Sequence, residues 1–190
     1  MKQAITITIV GVLLIGFGVF LFLHGNKQGD QTTEGLLPNL PTDTQLQANM
    51  SKTGLDPLPA EGTVLHIHEH LDMIINGQSA TVPSQLGIAT TFFSPIHTHD
   101  STGVIHVESP VTKDFKLSQF FDEWGVTFND SCLDSYCSDS THKLIVGVNG
   151  SPITNARDYV LKAHDEIEIW YGPKDQNPTL IGAYNFEPGL

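Results

Sequence analysis

Between residues 64 and 75 the chain alternates. Leu65, Ile67, Leu71, Met73 and Ile75 fall on one side of an extended strand, and His66, His68, His70 and Asp72 fall on the other. Side chains change face at every residue of a strand, so such a segment needs a sheet with two unlike faces. One face enters a core; the other presents imidazoles. Asn76-Gly77 follows, the strongest short signal for a hairpin. Residues 78–82 read as the return strand, stopped by Pro83.

A second hairpin is expected between Pro95 and Ser109. A loop of two or four residues centred on Ser101-Thr102 sets His97 directly opposite His106. One face then carries His97, His99, His106 and Glu108, and the other Ile96, Thr98, Ile105 and Val107. A three-residue loop with a bulge at Gly103 would mix the two sets, and register follows the hydrophobic pattern. Further on, Leu117, Phe120, Phe121 and Trp124 recur at helical spacing before Gly125, which predicts one short amphipathic helix. Strands are expected at residues 144–148, 151–154 and 166–171, with Asn149-Gly150 as a turn.

Residues 4–23 carry no charge, and about 20 apolar residues suffice to cross a bilayer as a helix. No small-residue cleavage site follows, so an uncleaved anchor is expected rather than a signal peptide. Lys2 and Lys27 flank the run on either side, which leaves the orientation to the long acidic body, expected outside the cytoplasm. Residues 25–62 are rich in Gln, Thr, Asn, Gly and Pro, lack aromatics, and read as a flexible linker. The folded domain is expected over residues 63–190. A formal net charge of −12 disfavours nucleic acid as a partner. Cys132 and Cys137 frame a short polar loop; outside the cytoplasm the pair is expected to close a disulfide.

The expected fold is therefore α+β: a small β-rich domain behind one membrane-spanning helix. The stretch VNGSPITNARDYVLKAHDEIEIWYG resembles the second half of the small sulfur-carrier proteins of the β-grasp, or ubiquitin-like, fold. Those proteins share an Asn-Gly turn and a "D-G-D-E-I" entry to the last strand, where His164 here replaces the glycine. The resemblance covers about 30 residues and implies a β-grasp-like fold into which the histidine-rich hairpin is inserted. Sulfur-carrier chemistry is not implied, because it needs a terminal Gly-Gly and this chain reads Pro188-Gly189-Leu190.

The chain has 9 histidines, as many as its lysines and arginines together, and six of them lie between His66 and His106. Metal ligands must converge within about 2 Å of one point. Two histidines at i and i+2 on a strand share a face, and a third from the neighbouring strand closes a set. His97, His99 and His106 meet that condition in the favoured register. His66, His68 and His70 form a second row about 13 Å long, too long for one ion, so a pair is used or there are two ions; His68 or His70 could add a fourth ligand to the first set. Glu108 and Asp72 are expected to orient imidazoles from behind, with Glu69 and Asp100 as weaker candidates. His24, His142 and His164 read as interfacial, structural or solvated. An all-nitrogen set with optional carboxylate suits Zn(II) or Cu(II), with zinc favoured, and disfavours Cu(I).

Three functions fit. The favoured one is a binding protein that captures a metal at the cell surface or delivers it, with a metal-delivery protein as a partner. A second is a small enzyme with three histidines on the ion and an open position for water, Glu108 acting as base. A third, a pH-sensitive docking module, leaves the His-x-His spacing unexplained.

Overall fold

The computed structural model describes residues 35–190, which form one unit. Two helices, α1 (Asp43–Thr53) and α2 (Leu117–Trp124), accompany ten strands. The strands are β1 (Leu65–Ile75), β2 (Gln78–Ser79), β3 (Ile96–His97), β4 (Val104–Ser109), β5 (Phe128–Asn129), β6 (Cys132–Leu133), β7 (Tyr136–Cys137), β8 (His142–Val148), β9 (Ser151–Pro152) and β10 (Glu166–Pro173). The main sheet runs β3-β4-β1-β10-β8-β9, with β2 also paired to β1. Its two long central strands, β1 and β10, are parallel, and the other pairs are antiparallel.

Alternation dictates the two faces. Leu71, Met73 and Ile75 stand beside Ile167, Ile169 and Tyr171, which in turn stand beside Val148, Val146 and Leu144. These side chains join Ile105 and Val107 in the core together with Leu117, Phe120, Phe121 and Trp124 of α2. The helix stops at Gly125, whose φ of 84° is left-handed and open to glycine without a Cβ clash. On the opposite face of the sheet, His66, His68, His70 and Asp72 stand beside Glu108, His106, Glu166 and Glu168 in turn.

The carboxyl-terminal segment, which has no strand or helix, lies against the inner part of that polar face. Tyr184 stacks on His70 with ring centroids 3.6 Å apart. The Ile181 amide donates to Glu168 at 2.7 Å, and Leu180 packs on Gly147 so closely that a Cβ there would come within 2.7 Å of it. His66 at the far end of β1 stays exposed.

The expected architecture needs correction. The domain is mixed α/β with two α-helices, not a β-rich, β-grasp-like domain with a single short one. No helix among the described residues is long and apolar enough to cross a membrane, and the span expected at residues 4–23 lies outside them. The flexible linker expected over residues 25–62 is also overturned where it is described. Residues 43–53 form α1, which packs on α2 and buries Leu46 and Met50. Only those two apolar positions, one turn apart, mark its inner side, too few to read as a periodic face. Its start is sharper: Thr42 accepts from the Gln45 amide at 3.3 Å while the Gln45 side chain accepts from the Thr42 amide at 2.9 Å, a reciprocal capping box. Thr42→Ala is expected to destabilise the protein by about 1 kcal/mol, read from urea unfolding; an unchanged midpoint would mean that α1 is not held by its cap.

Cys132 and Cys137 are bonded, facing each other across the β6–β7 pair.

Candidate metal centre

Three strands build the site. Their register sets His106 of β4 between His68 of β1 and His97 of β3, with Glu108 beside His66. Ile96, Ile105 and Val107, which alternate with these residues, fill the core on the other face. The ladder between β3 and β4 ends at His97, so the connection is a six-residue loop, residues 98–103, rather than the shorter one expected. Thr98 pins it by donating to the Pro83 carbonyl at 2.7 Å, and Asp100 accepts from the Thr102 amide at 2.9 Å. His99 therefore lies on the loop, its carbonyl accepting from the Gln85 side chain at 2.7 Å.

One donor atom from each of His97, His99, His106 and Glu108 lies within 4.8 Å of all the others. Glu108 stands at the centre: its Oε1 is 3.2 Å from His66 Nε2, 3.8 Å from His97 Nε2 and 3.9 Å from His106 Nδ1. Its place is thus among the prospective ligands, not behind them as expected. A second group, His66, His68 and His106, meets the same distance condition.

His97 shows what the space is built for. Its side chain is fully buried, and Nδ1 lies 3.0 Å from the Ser94 carbonyl oxygen. A carbonyl can only accept, so Nδ1 carries the proton and Nε2 presents a bare lone pair. That Nε2 has no hydrogen-bond partner, and neither do His106 Nδ1, His68 Nε2 and Glu108 Oε2, all buried. Burial holds the His97 imidazole down to about 4, and burial with its histidine neighbours holds His106 down to about 3. Burial and the adjacent histidines lower His68 too. Burial raises the Glu108 carboxyl against the pull of His66. These imidazoles are neutral at pH 7, so protons do not satisfy the lone pairs. Buried polar atoms normally have partners, and several lone pairs converging on one space fit a cation.

Support comes from behind. Ser94 Oγ donates to Glu123, a fully buried carboxyl on α2, and accepts from the Ile96 amide at 3.3 Å. The turn that orients His97 is thereby tied to the helix. Gly87, at a φ of 79°, passes so close that a Cβ would stand 2.8 Å from His97 Cβ, a position only glycine fills without displacement.

The remaining sequence candidates separate. His70 is not in the His97 group: Nδ1 lies 2.8 Å from Glu166 Oε2 and Nε2 lies 2.9 Å from the Thr102 carbonyl, so both nitrogens are engaged. Burial pushes the His70 imidazole down, but Glu166 and the Thr102 carbonyl outweigh it and raise it. Asp72 lies 3.8 Å from His70 and groups with it and Glu166, not with His97. Glu69 points to the core face. His142 stacks on Tyr171, and His164 Nε2 lies 3.0 Å from the Leu190 carbonyl oxygen. Sequence reasoning missed Glu61, whose carboxylate is 3.6 Å from His99 Nε2, and also Ser94 and Glu123. No spacing signal marks them, since each reaches the site from a different segment.

Among the described residues no sulfur joins the two groups: both cysteines are in the disulfide, and Met50 and Met73 lie in the core. The donors are nitrogen and oxygen only. Comparison with known protein families, with curated proteins and with solved structures finds no match. The chain is therefore described by its site: a mixed α/β domain whose His/Glu groups could hold a metal ion.

Proposed function

We propose that this chain is an extracytoplasmic, membrane-attached protein that binds Zn(II) or Cu(II) and captures or delivers it. The observation that carries the reading is the buried Nε2 of His97, deprotonated, without a partner, and facing Glu108 and two further histidines. Three imidazoles and one carboxylate are a complete tetrahedral set for zinc. A set already filled by protein favours binding over catalysis, which needs a position open to water. His99 is 41% exposed, so an ion has a way in and out. The Cys132–Cys137 bond supports an oxidising compartment, and the apolar run at residues 4–23 supports attachment to a membrane.

Calorimetric titration of the full-length chain, purified without a histidine tag in mild detergent, tests this. Zn(II) and Cu(II) are expected to bind with dissociation constants of about 1 μM or tighter, equivalent to about 8 kcal/mol. Mg(II) and Ca(II), which prefer all-oxygen sites, should give no heat. Equal binding of all four ions, or of none, contradicts the reading.

A further inference from the structure

We propose that the histidine face holds two metal ions side by side, with His106 shared between them. The inference rests on the metal-binding reading above and extends it to a second site. The first ion takes His97, His99 and Glu108 with His106; the second takes His66 and His68 with His106. His106 is the one residue common to the two groups, and its strand explains why. β4 lies between β1 and β3, so the His106 ring stands between His97, 5.5 Å away and nearly parallel, and His68, 4.5 Å away and edge-on.

The second group has its own unmet need. The His68 side chain is 94% buried by its 6% relative exposure, yet its Nε2 has no partner. His66, with its ring centroid 4.7 Å from that of His68, is half-exposed and open to an incoming ion. A cation at this point would meet the His68 lone pair, which neither the first ion nor any protein group meets.

One ring serves two ions by giving one nitrogen to each. The imidazole then loses its N–H proton to solvent as the second ion binds and becomes a bridging imidazolate. Each metal–nitrogen bond uses a lone pair of the ring, and no electron changes hands. The imidazolate charge, with Glu108 between the groups and Glu61 beside His99, offsets the repulsion of two divalent ions at close range. His66 and His68 on the exposed side then form an outer station, and the buried His97 an inner one.

The test uses Cu(II) on the untagged full-length chain, counting bound metal after removal of the excess and recording the electron paramagnetic resonance spectrum. The expected result is two equivalents and a spectrum of coupled copper, with its ordinary signal strongly reduced and a half-field transition present. His68→Ala should leave one equivalent and restore the full signal of isolated copper. His66→Ala, at an exposed position where folding is not at risk, should weaken the second equivalent at least tenfold, while the first equivalent is still bound. One equivalent in the parent overturns the second site while leaving the proposed function standing. Two equivalents with an uncoupled spectrum overturn the sharing of His106. No bound copper overturns both.

Discussion

His97→Ala is expected to weaken Zn(II) binding by at least about a hundredfold. Losing a residue that merely orients a ligand typically costs 10–100-fold in affinity, and His97 is itself placed to be a ligand. Its nitrogen is the most constrained of the group: the ring is fully buried, and the Ser94 carbonyl fixes its tautomer. His70 cannot replace it, because both of its ring nitrogens are committed to Glu166 and Thr102, and His66 and His68 group with His106 on its other side. His142→Ala provides the control. That ring stacks on Tyr171 and belongs to neither ligand group, so affinity should stay within twofold of the parent. Calorimetry on both variants decides; equal affinities would remove His97 from the site. Circular dichroism on the same samples separates loss of ligand from loss of fold.

The second large effect concerns Glu69, on the core face of β1 beside Ile105. It is fully buried with neither carboxylate oxygen partnered. Burial, reinforced by the nearby Asp165 carboxylate, pushes its carboxyl up to about 9. The unfolded chain releases this proton near 4.5, the folded chain near 9. Between those values the folded state holds more protons, so its stability falls as pH rises, by about 1.4 kcal/mol per unit for this group. Glu69→Gln keeps the shape and removes the titration. The variant should match the parent to within about 1 kcal/mol at pH 5 and exceed it by about 4 kcal/mol at pH 8. Urea unfolding with chelator present, at both pH values, measures this. A difference independent of pH would show that Glu69 is not held protonated in the fold.

The histidine face is legible in the sequence because a strand has a period of two. His66, His68 and His70 are tied to one face by the apolar residues between them, and only one hairpin register keeps His97 and His106 on the same side. The helix at Leu117–Trp124 is legible for a similar reason, from its aromatic spacing and from Gly125. What the sequence hides depends on partners far along the chain. The row of three histidines is divided by β10 and by the carboxyl-terminal segment: Glu166 and Tyr184 take His70, while His66 and His68 remain with β4. Alternation alone treats the three alike. Glu108 reads as a supporting group because local spacing cannot say that three imidazoles surround it. The helix α1 is hidden by its polar surface, although Thr42 and Gln45 mark its start. Glu123 looks like an exposed position in an amphipathic helix, yet it is buried beneath Ser94.

X-ray absorption of the full-length chain loaded with one equivalent of Zn(II) tests the central claim most directly, because it reads the donor atoms themselves. Zinc held by His97, His99, His106 and Glu108 should show about three imidazole nitrogens and one oxygen at about 2.0–2.1 Å, with the outer-shell scattering of imidazole rings. No sulfur should appear near 2.3 Å, the usual zinc–thiolate distance. A first shell of water and carboxylate oxygens without imidazole scattering, or one containing sulfur, would contradict the account.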